Sequence, residues 1–150
     1  MKPKILAVAS GGGHWIQLRR LAPVFEGFDV AYVSLRADYA DDVPGHRYYF
    51  VDDVTRRDRF KLAVVIYKLI KILLKERPDV IVTTGSLPGL FTIALAHFLL
   101  RSKTIWIDSI ANSERVSSSG SQARRFADIW LTQWPQLQKE GGPQYWGAVI

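Results

Sequence analysis

The apolar run Ile5-Leu6-Ala7-Val8 gives way after Ala9 to Ser10-Gly11-Gly12-Gly13-His14, and a helix-compatible segment follows at once. This order of strand, glycine turn and helix constrains the fold more than any other stretch. An uninterrupted apolar strand is buried on both faces, which calls for a parallel sheet between layers of helix. A glycine turn at a helix head aims backbone N–H groups at one point and makes a place for an anion. His14, at that point, adds a group that can move a proton near neutral pH.

The rest of the chain repeats the theme. Strands are expected over residues 4–9, 28–34, 47–51, 79–84, 103–107 and 129–132, with 145–150 as a last strand or exit segment. Helices are expected over 16–25, 59–77 and 88–100, and a short one over 122–126. Gly27 suits the C-cap of the first helix, and Asp52, Asp53 and Thr55 suit caps for the second. The polar stretch 36–46 reads as a mobile loop, and Ser117-Ser118-Ser119-Gly120 as the most flexible part of a loop over 108–122. The alternation specifies an α/β fold: one Rossmann-like, doubly wound, mainly parallel sheet formed by residues 1–150 as a single domain. In such sheets ligands bind beyond the carboxyl ends of the strands. The glycine loop, a second turn at Gly85-Ser86-Leu87-Pro88-Gly89 and the loop starting at Asp108 all fall there.

Charge and composition narrow the function. The net charge of +6 favours anionic partners such as phosphate groups, acidic lipid or nucleic acid. The chain has no cysteine, which removes disulfides and cysteine-ligated zinc. Residues 80–100 carry no formal charge and are long enough to span a bilayer, but Gly85, Pro88 and Gly89 interrupt them. They read as a buried strand, a turn and a core helix.

The first glycine loop lacks the G-x-G-x-x-G spacing of a dinucleotide site and the Gly-Lys-Ser/Thr of a Walker loop. An anion nest formed by Gly11, Gly12 and Gly13 remains, against the plainer reading of a tight turn. Gly85 and Ser86 offer a second set of N–H groups and a hydroxyl at a helix start, although a structural N-cap explains Ser86 equally well. Asp108 and Glu114 are candidates for a general base or for accepting sugar hydroxyls, with a loop cap or an ion pair to Arg115 as the alternative. His14, Asp108 and Glu114 are not in metal-ligand spacing, so no protein-bound metal is expected. In the 59–77 helix, Lys61, Lys68, Lys71 and Lys75 fall within an arc of roughly 80° and the remainder is almost wholly apolar. The helix is either a core element with a solvated lysine stripe or an interfacial helix on anionic lipid.

The S-G-G-G-H loop resembles the glycine-rich loop in the acceptor half of GT-B glycosyltransferases that act on polyprenyl-diphosphate lipids. Residues 79–86 and 105–109 look like a narrower group: the acceptor-side subunit of the split transferase that adds the second GlcNAc to dolichol-linked oligosaccharide, with its bacterial exopolysaccharide relatives. Residues 125–135 and 145–147 are similar to the bacterial members. The resemblance implies half of an enzyme, with a separate donor-binding subunit holding the UDP-sugar and no cofactor bound by this chain. By position, His14 would be the base, Gly11, Gly12, Gly13, Gly85 and Ser86 would face the acceptor diphosphate, and Asp108 and Glu114 would lie in the acceptor-site loop. Single-chain relatives keep a His-Glu pair there, and this chain has Asp108-Ser109. The eukaryotic relative has an amino-terminal membrane helix, whereas here the sequence opens directly on the first strand. Peripheral attachment at the cytoplasmic face of the cell membrane would then fall to the basic 59–77 helix. The implied partners are the donor subunit, a polyprenyl-diphosphate-linked acceptor and an anionic membrane, and not nucleic acid. The alternatives are an adaptor that only recruits a competent catalytic partner and a plain nucleotide-binding module.

Overall fold

The computed structural model describes residues 1–149, so the end of the expected 145–150 segment lies outside the described residues. Strands β1 (Lys4–Val8), β2 (Asp29–Ser34), β3 (Arg47–Phe50), β4 (Val80–Thr83), β5 (Lys103–Ile107), β6 (Ile129–Thr132) and β7 (Gln144–Tyr145) form one sheet in the order β3-β2-β1-β4-β5-β6-β7. Every pairing is parallel, with Ile5 opposite both Val30 and Val80. Chain order reverses between β1 and β4, and this is the switch point of a doubly wound sheet.

Helices cover both faces unequally. On one face α2 (Arg59–Glu76), α3 (Leu87–Leu99) and α4 (Ser118–Ala123) pack Val65, Leu69, Leu73, Ile93, Ala96 and Ala123 against Leu6, Val8, Val33, Ile81 and Trp106. On the other, α1 (Gly13–Arg20) and the 3-10 turn Ala22–Phe25 set Trp15, Leu18 and Phe25 against Ile5, Ala7 and Tyr32. Beyond α1 that second face is covered thinly. A trough of about 360 Å³ runs over Val82, Ile105, Ile107 and Leu131, under Trp146 and Val149.

Several local expectations are corrected. The first helix starts at Gly13, not residue 16, so His14 lies inside its first turn; Pro23, which has no N–H to donate, hands the chain to a 3-10 turn. The 36–46 stretch contains the 3-10 turn Ala37–Asp42, held to α1 where Trp15 Nε1 donates to Asp42 at 2.8 Å. The cap of α2 is Asp58, whose side chain accepts from the Lys61 N–H, and not Asp52, Asp53 or Thr55. The short helix begins at Ser118, four residues early, because the Ser117 hydroxyl caps it through the Gly120 N–H. The serine run is therefore a helix start.

At the opposite end of the sheet, Arg47 ties β3 to α2 and β2. Its Nε and Nη2 donate to Glu76, and its Nη1 to Asp29 at 2.9 Å. Burial would raise the Glu76 carboxyl, but the Arg47 fork and the Tyr49 hydroxyl outweigh it and hold Glu76 below the usual carboxylate range.

Candidate functional site

The glycine loop after β1 and the Gly85 loop after β4 meet at the switch point. Ser10 N–H donates to Gly85 O at 3.0 Å. The Thr84 hydroxyl donates to His14 O at 2.6 Å, and His14 Nδ1 lies 2.7 Å from Thr84 O. A carbonyl oxygen only accepts, so Nδ1 carries a proton, and in the neutral ring the lone pair is on Nε2. Two strands that are neighbours in space thus fix the orientation and tautomer of one imidazole. Sequence reading identified His14 and missed Thr84, whose partner is 70 residues away.

Gly85 is required for two reasons. Its φ of +107° is glycine territory, and a Cβ there would stand 3.0 Å from both Cε1 and Nδ1 of His14. The Gly85–Ser86 peptide is cis. Ser86 caps α3 through the Leu87 N–H, as the plainer reading expected, and its hydroxyl proton is left for another acceptor.

At the first loop, no side chain caps α1, and Gly12, at φ +64°, donates its N–H to Tyr39 Oη at 3.0 Å. The first N–H groups of a helix have no partner within it, so the head of α1 offers donors at the switch point. Gly11, Gly12, Gly13, Gly85, Ser86 and His14 are therefore brought to one place.

Asp108 sits at the end of β5 with 2% of its surface exposed. Its carboxylate accepts from Trp106 Nε1, Asn112 Nδ2, Ser117 N and Ser117 Oγ. Three donors from its own loop and one from β5 use the acceptor positions a base would need, so the geometry makes Asp108 an anchor for residues 109–117. Beneath it, buried Gln17 and Gln133 connect α1 and β6 to the same loop: Gln133 Nε2 donates to Gln17 Oε1 at 2.6 Å and to Asp108 O at 2.9 Å. Glu114 is exposed and lines a pocket beside α4 with Arg115, Arg124 and Lys139, a pocket to which neither glycine loop contributes.

α2 presents two apolar faces. Val65, Leu69, Ile72 and Leu73 are buried, and Phe60, Val64, Tyr67 and Leu74 are exposed on the opposite side, Phe60 at 80% and Tyr67 at 61%. At 100° per residue the exposed four span roughly 80°, with Lys71 among them and Lys61, Lys68 and Lys75 along one flank. Lys68 is paired with Asp52 at 2.5 Å and Lys61 with Asp58 at 3.8 Å, while Lys71 and Lys75 lie over the rings of Tyr67 and Tyr49. Among the described residues no helix is long and apolar enough to cross a membrane.

A family model described as "Oligosaccharide biosynthesis protein Alg14 like" matches residues 50–149. The chain belongs to the Alg14-like family. The match takes in α2, the Thr84-Gly85 loop and the Asp108 loop, and His14 joins them through Thr84. Among curated Alg14 proteins, the "UDP-N-acetylglucosamine transferase subunit ALG14" of Yarrowia lipolytica is 34% identical over 95 residues, 59% of this chain and 44% of the relative. That of Eremothecium gossypii is 32% identical over 81 residues, 49% of this chain and 35% of the relative. The matches thus span less than half of either relative. Among solved structures, MurG of Acinetobacter baumannii superposes with a TM-score of 0.76 at 14% identity, covering 95% of this chain and 45% of MurG. A UDP-GlcNAc 2-epimerase from Methanocaldococcus jannaschii gives 0.64 at 13% identity, over 86% of this chain and 39% of the epimerase. These likenesses establish a Rossmann-like fold of the kind found in GT-B enzymes, and the expectation of a doubly wound sheet is borne out as an all-parallel one.

Proposed function

We propose that this chain is the acceptor-binding, membrane-associating subunit of a two-component glycosyltransferase. Its partner holds the UDP-sugar, and the acceptor is a saccharide on a polyprenyl diphosphate, undecaprenyl in a bacterial polysaccharide pathway. The observation that carries this reading is the clip between His14 and Thr84, which leaves Nε2 as a fixed proton acceptor beside two glycine loops. The acceptor hydroxyl gives its proton to His14 Nε2 as its oxygen bonds to the anomeric carbon. The bond from that carbon to the UDP oxygen breaks with inversion, and UDP leaves with the electron pair. The N–H groups of Gly11 and Gly13 on one side and Ser86 on the other hold the acceptor diphosphate, while Gly12 and Gly85, whose N–H groups are taken by Tyr39 Oη and Thr83 Oγ1, shape the two loops. The exposed stripe of α2 lies on lipid at the cytoplasmic face, with Lys71 and Lys75 toward anionic headgroups.

A second reading, a recruiting adaptor without a chemical role, is favoured by one observation: the Asp108 carboxylate is committed to its own loop, and Glu114 lies elsewhere. His14→Ala in the purified pair separates the two. Removing a general base is expected to lower transfer by about 10²–10⁴-fold while co-purification of the partner is unchanged. Full transfer by the variant refutes the base assignment. Full turnover of a soluble acceptor by the partner alone establishes the adaptor.

A further inference from the structure

The 3-10 turn Ala37–Asp42 leans over the glycine loop, and nothing so far gives it a role. Tyr39 stacks on Trp15, with centroids 4.8 Å apart and planes 8° from parallel, and its hydroxyl accepts the Gly12 N–H. Trp15 is buried and its Nε1 is bonded to Asp42, so the phenol is held from both ends. An oxygen already stands on the central N–H of the nest. The phenol proton is not used by that bond and is available to a further acceptor. Gly12 N–H polarises the hydroxyl and makes it a better donor.

Arg36 stands beside it. A Cβ on Gly11 would lie 3.7 Å from Tyr39 Oη and 3.9 Å from Arg36 Cδ, so the two side chains sit together over the loop. The guanidinium carbon is 5.4 Å from the Tyr39 ring centroid. Asp38 takes Arg36 Nε and Nη2, and among the described residues Nη1 has no partner. The backbone under Arg36 is also fixed, since the Tyr48 hydroxyl donates to Arg36 O. Burial pushes the Tyr48 phenol up to about 12.

We infer that Arg36 and Tyr39 form a third wall of the acceptor site, donating from Nη1 and Oη to oxygens of a lipid-linked diphosphate seated on the glycine loop. The inference rests on the acceptor-site reading above. The third wall adds a guanidinium N–H, held in place by the Arg36–Asp38 pair, which is a stronger donor to a phosphate oxygen than a glycine N–H. It also explains why a loop rich in charge is folded against α1 by three side-chain contacts.

The test is titration calorimetry of the chain with farnesyl diphosphate and with farnesol, in the same detergent. Wild type is expected to bind the diphosphate at least about tenfold tighter than the alcohol, the effect of one or more charge-assisted hydrogen bonds. Arg36→Gln is expected to weaken diphosphate binding by about tenfold, and Tyr39→Phe by about fivefold, with farnesol binding unchanged in both. Tyr39→Phe keeps the ring on Trp15, and an unaltered near-UV circular dichroism spectrum checks that the turn is intact. Wild-type diphosphate affinity in both variants overturns the inference and leaves the acceptor site standing. Equal weakening toward farnesol also overturns it, by making the role structural. A wild-type chain that binds the diphosphate no tighter than farnesol overturns the acceptor-site reading itself.

Discussion

Gly85→Ala tests the joint between the two loops. The substitution adds one methyl group and has two separable consequences. One is backbone strain, since φ +107° is a region that residues with a Cβ rarely adopt; its cost is of order 1–3 kcal/mol. The other is a steric demand on His14, because the new Cβ lies 3.0 Å from two ring atoms and the imidazole must retreat. Retreat stretches the 2.7 Å bond to Thr84 O, which contributes about 0.5–1.5 kcal/mol. The first term is independent of residue 14, and the second vanishes when the ring is absent. A double-mutant cycle on Gly85→Ala and His14→Ala therefore isolates the second. Thermal or urea unfolding of the four proteins is the assay, and needs no partner subunit. Gly85→Ala alone is expected to lower the melting temperature by several degrees, about 2–4 °C per kcal/mol at this chain length. In the His14→Ala background the same change is expected to cost about 1 kcal/mol less. Additivity within about 0.5 kcal/mol, the usual result for residues that do not touch, would refute the packing of His14 on Gly85. In the reconstituted pair, an imidazole displaced by even 1 Å is expected to slow transfer by about 10²-fold.

Further perturbations probe two other parts of the molecule. Glu76→Gln removes the charge that Arg47 and Tyr49 surround, and is expected to cost about 1–3 kcal/mol at neutral pH. Because the folded state holds Glu76 below its ordinary value of 4.5, this contribution is whole above that pH and drains away as the pH falls through the lower, folded value. Urea titrations should show wild type and variant converging in acid. For α2, Phe60→Asp with Tyr67→Asp is expected to abolish sedimentation with phosphatidylglycerol vesicles, and Lys71→Glu with Lys75→Glu to weaken it in a salt-dependent way. Sedimentation equal to wild type in both refutes the interfacial placement.

The parallel sheet was legible because its strands are short apolar runs bounded by Gly, Pro and Asp, and α2 and α3 because proline marks an end of each. Residues 59–76 were placed almost to the residue. The errors have one physical character. The local pattern starts α1 too late because Gly13 and His14 are poor helix formers, and only packing of Trp15 and Leu18 on the sheet carries the helix back to them. The serine run reads as flexible in the sequence because its stabilising partner, Asp108, lies nine residues back across a loop. Asp108 itself drew attention as a buried carboxylate at a strand end, and composition does not reveal that four donors already surround it. Tyr39 and Thr84 carry no signal at all in a local pattern, since their partners Gly12 and His14 are 27 and 70 residues distant.

That separation matters for how the molecule assembles. β1 is central in the sheet, but its pairing with β4 closes a loop from Lys4 to Asp79. Closing so long a loop is the kind of non-local event that slows folding. The imidazole has no carbonyl to lean on until that closure is made. Its alignment is therefore a late step in assembly, and any fluctuation that peels β4 from β1 dismantles both glycine loops together. A chain with only β1–β3 and α1 formed would carry the glycine motif with no working site behind it.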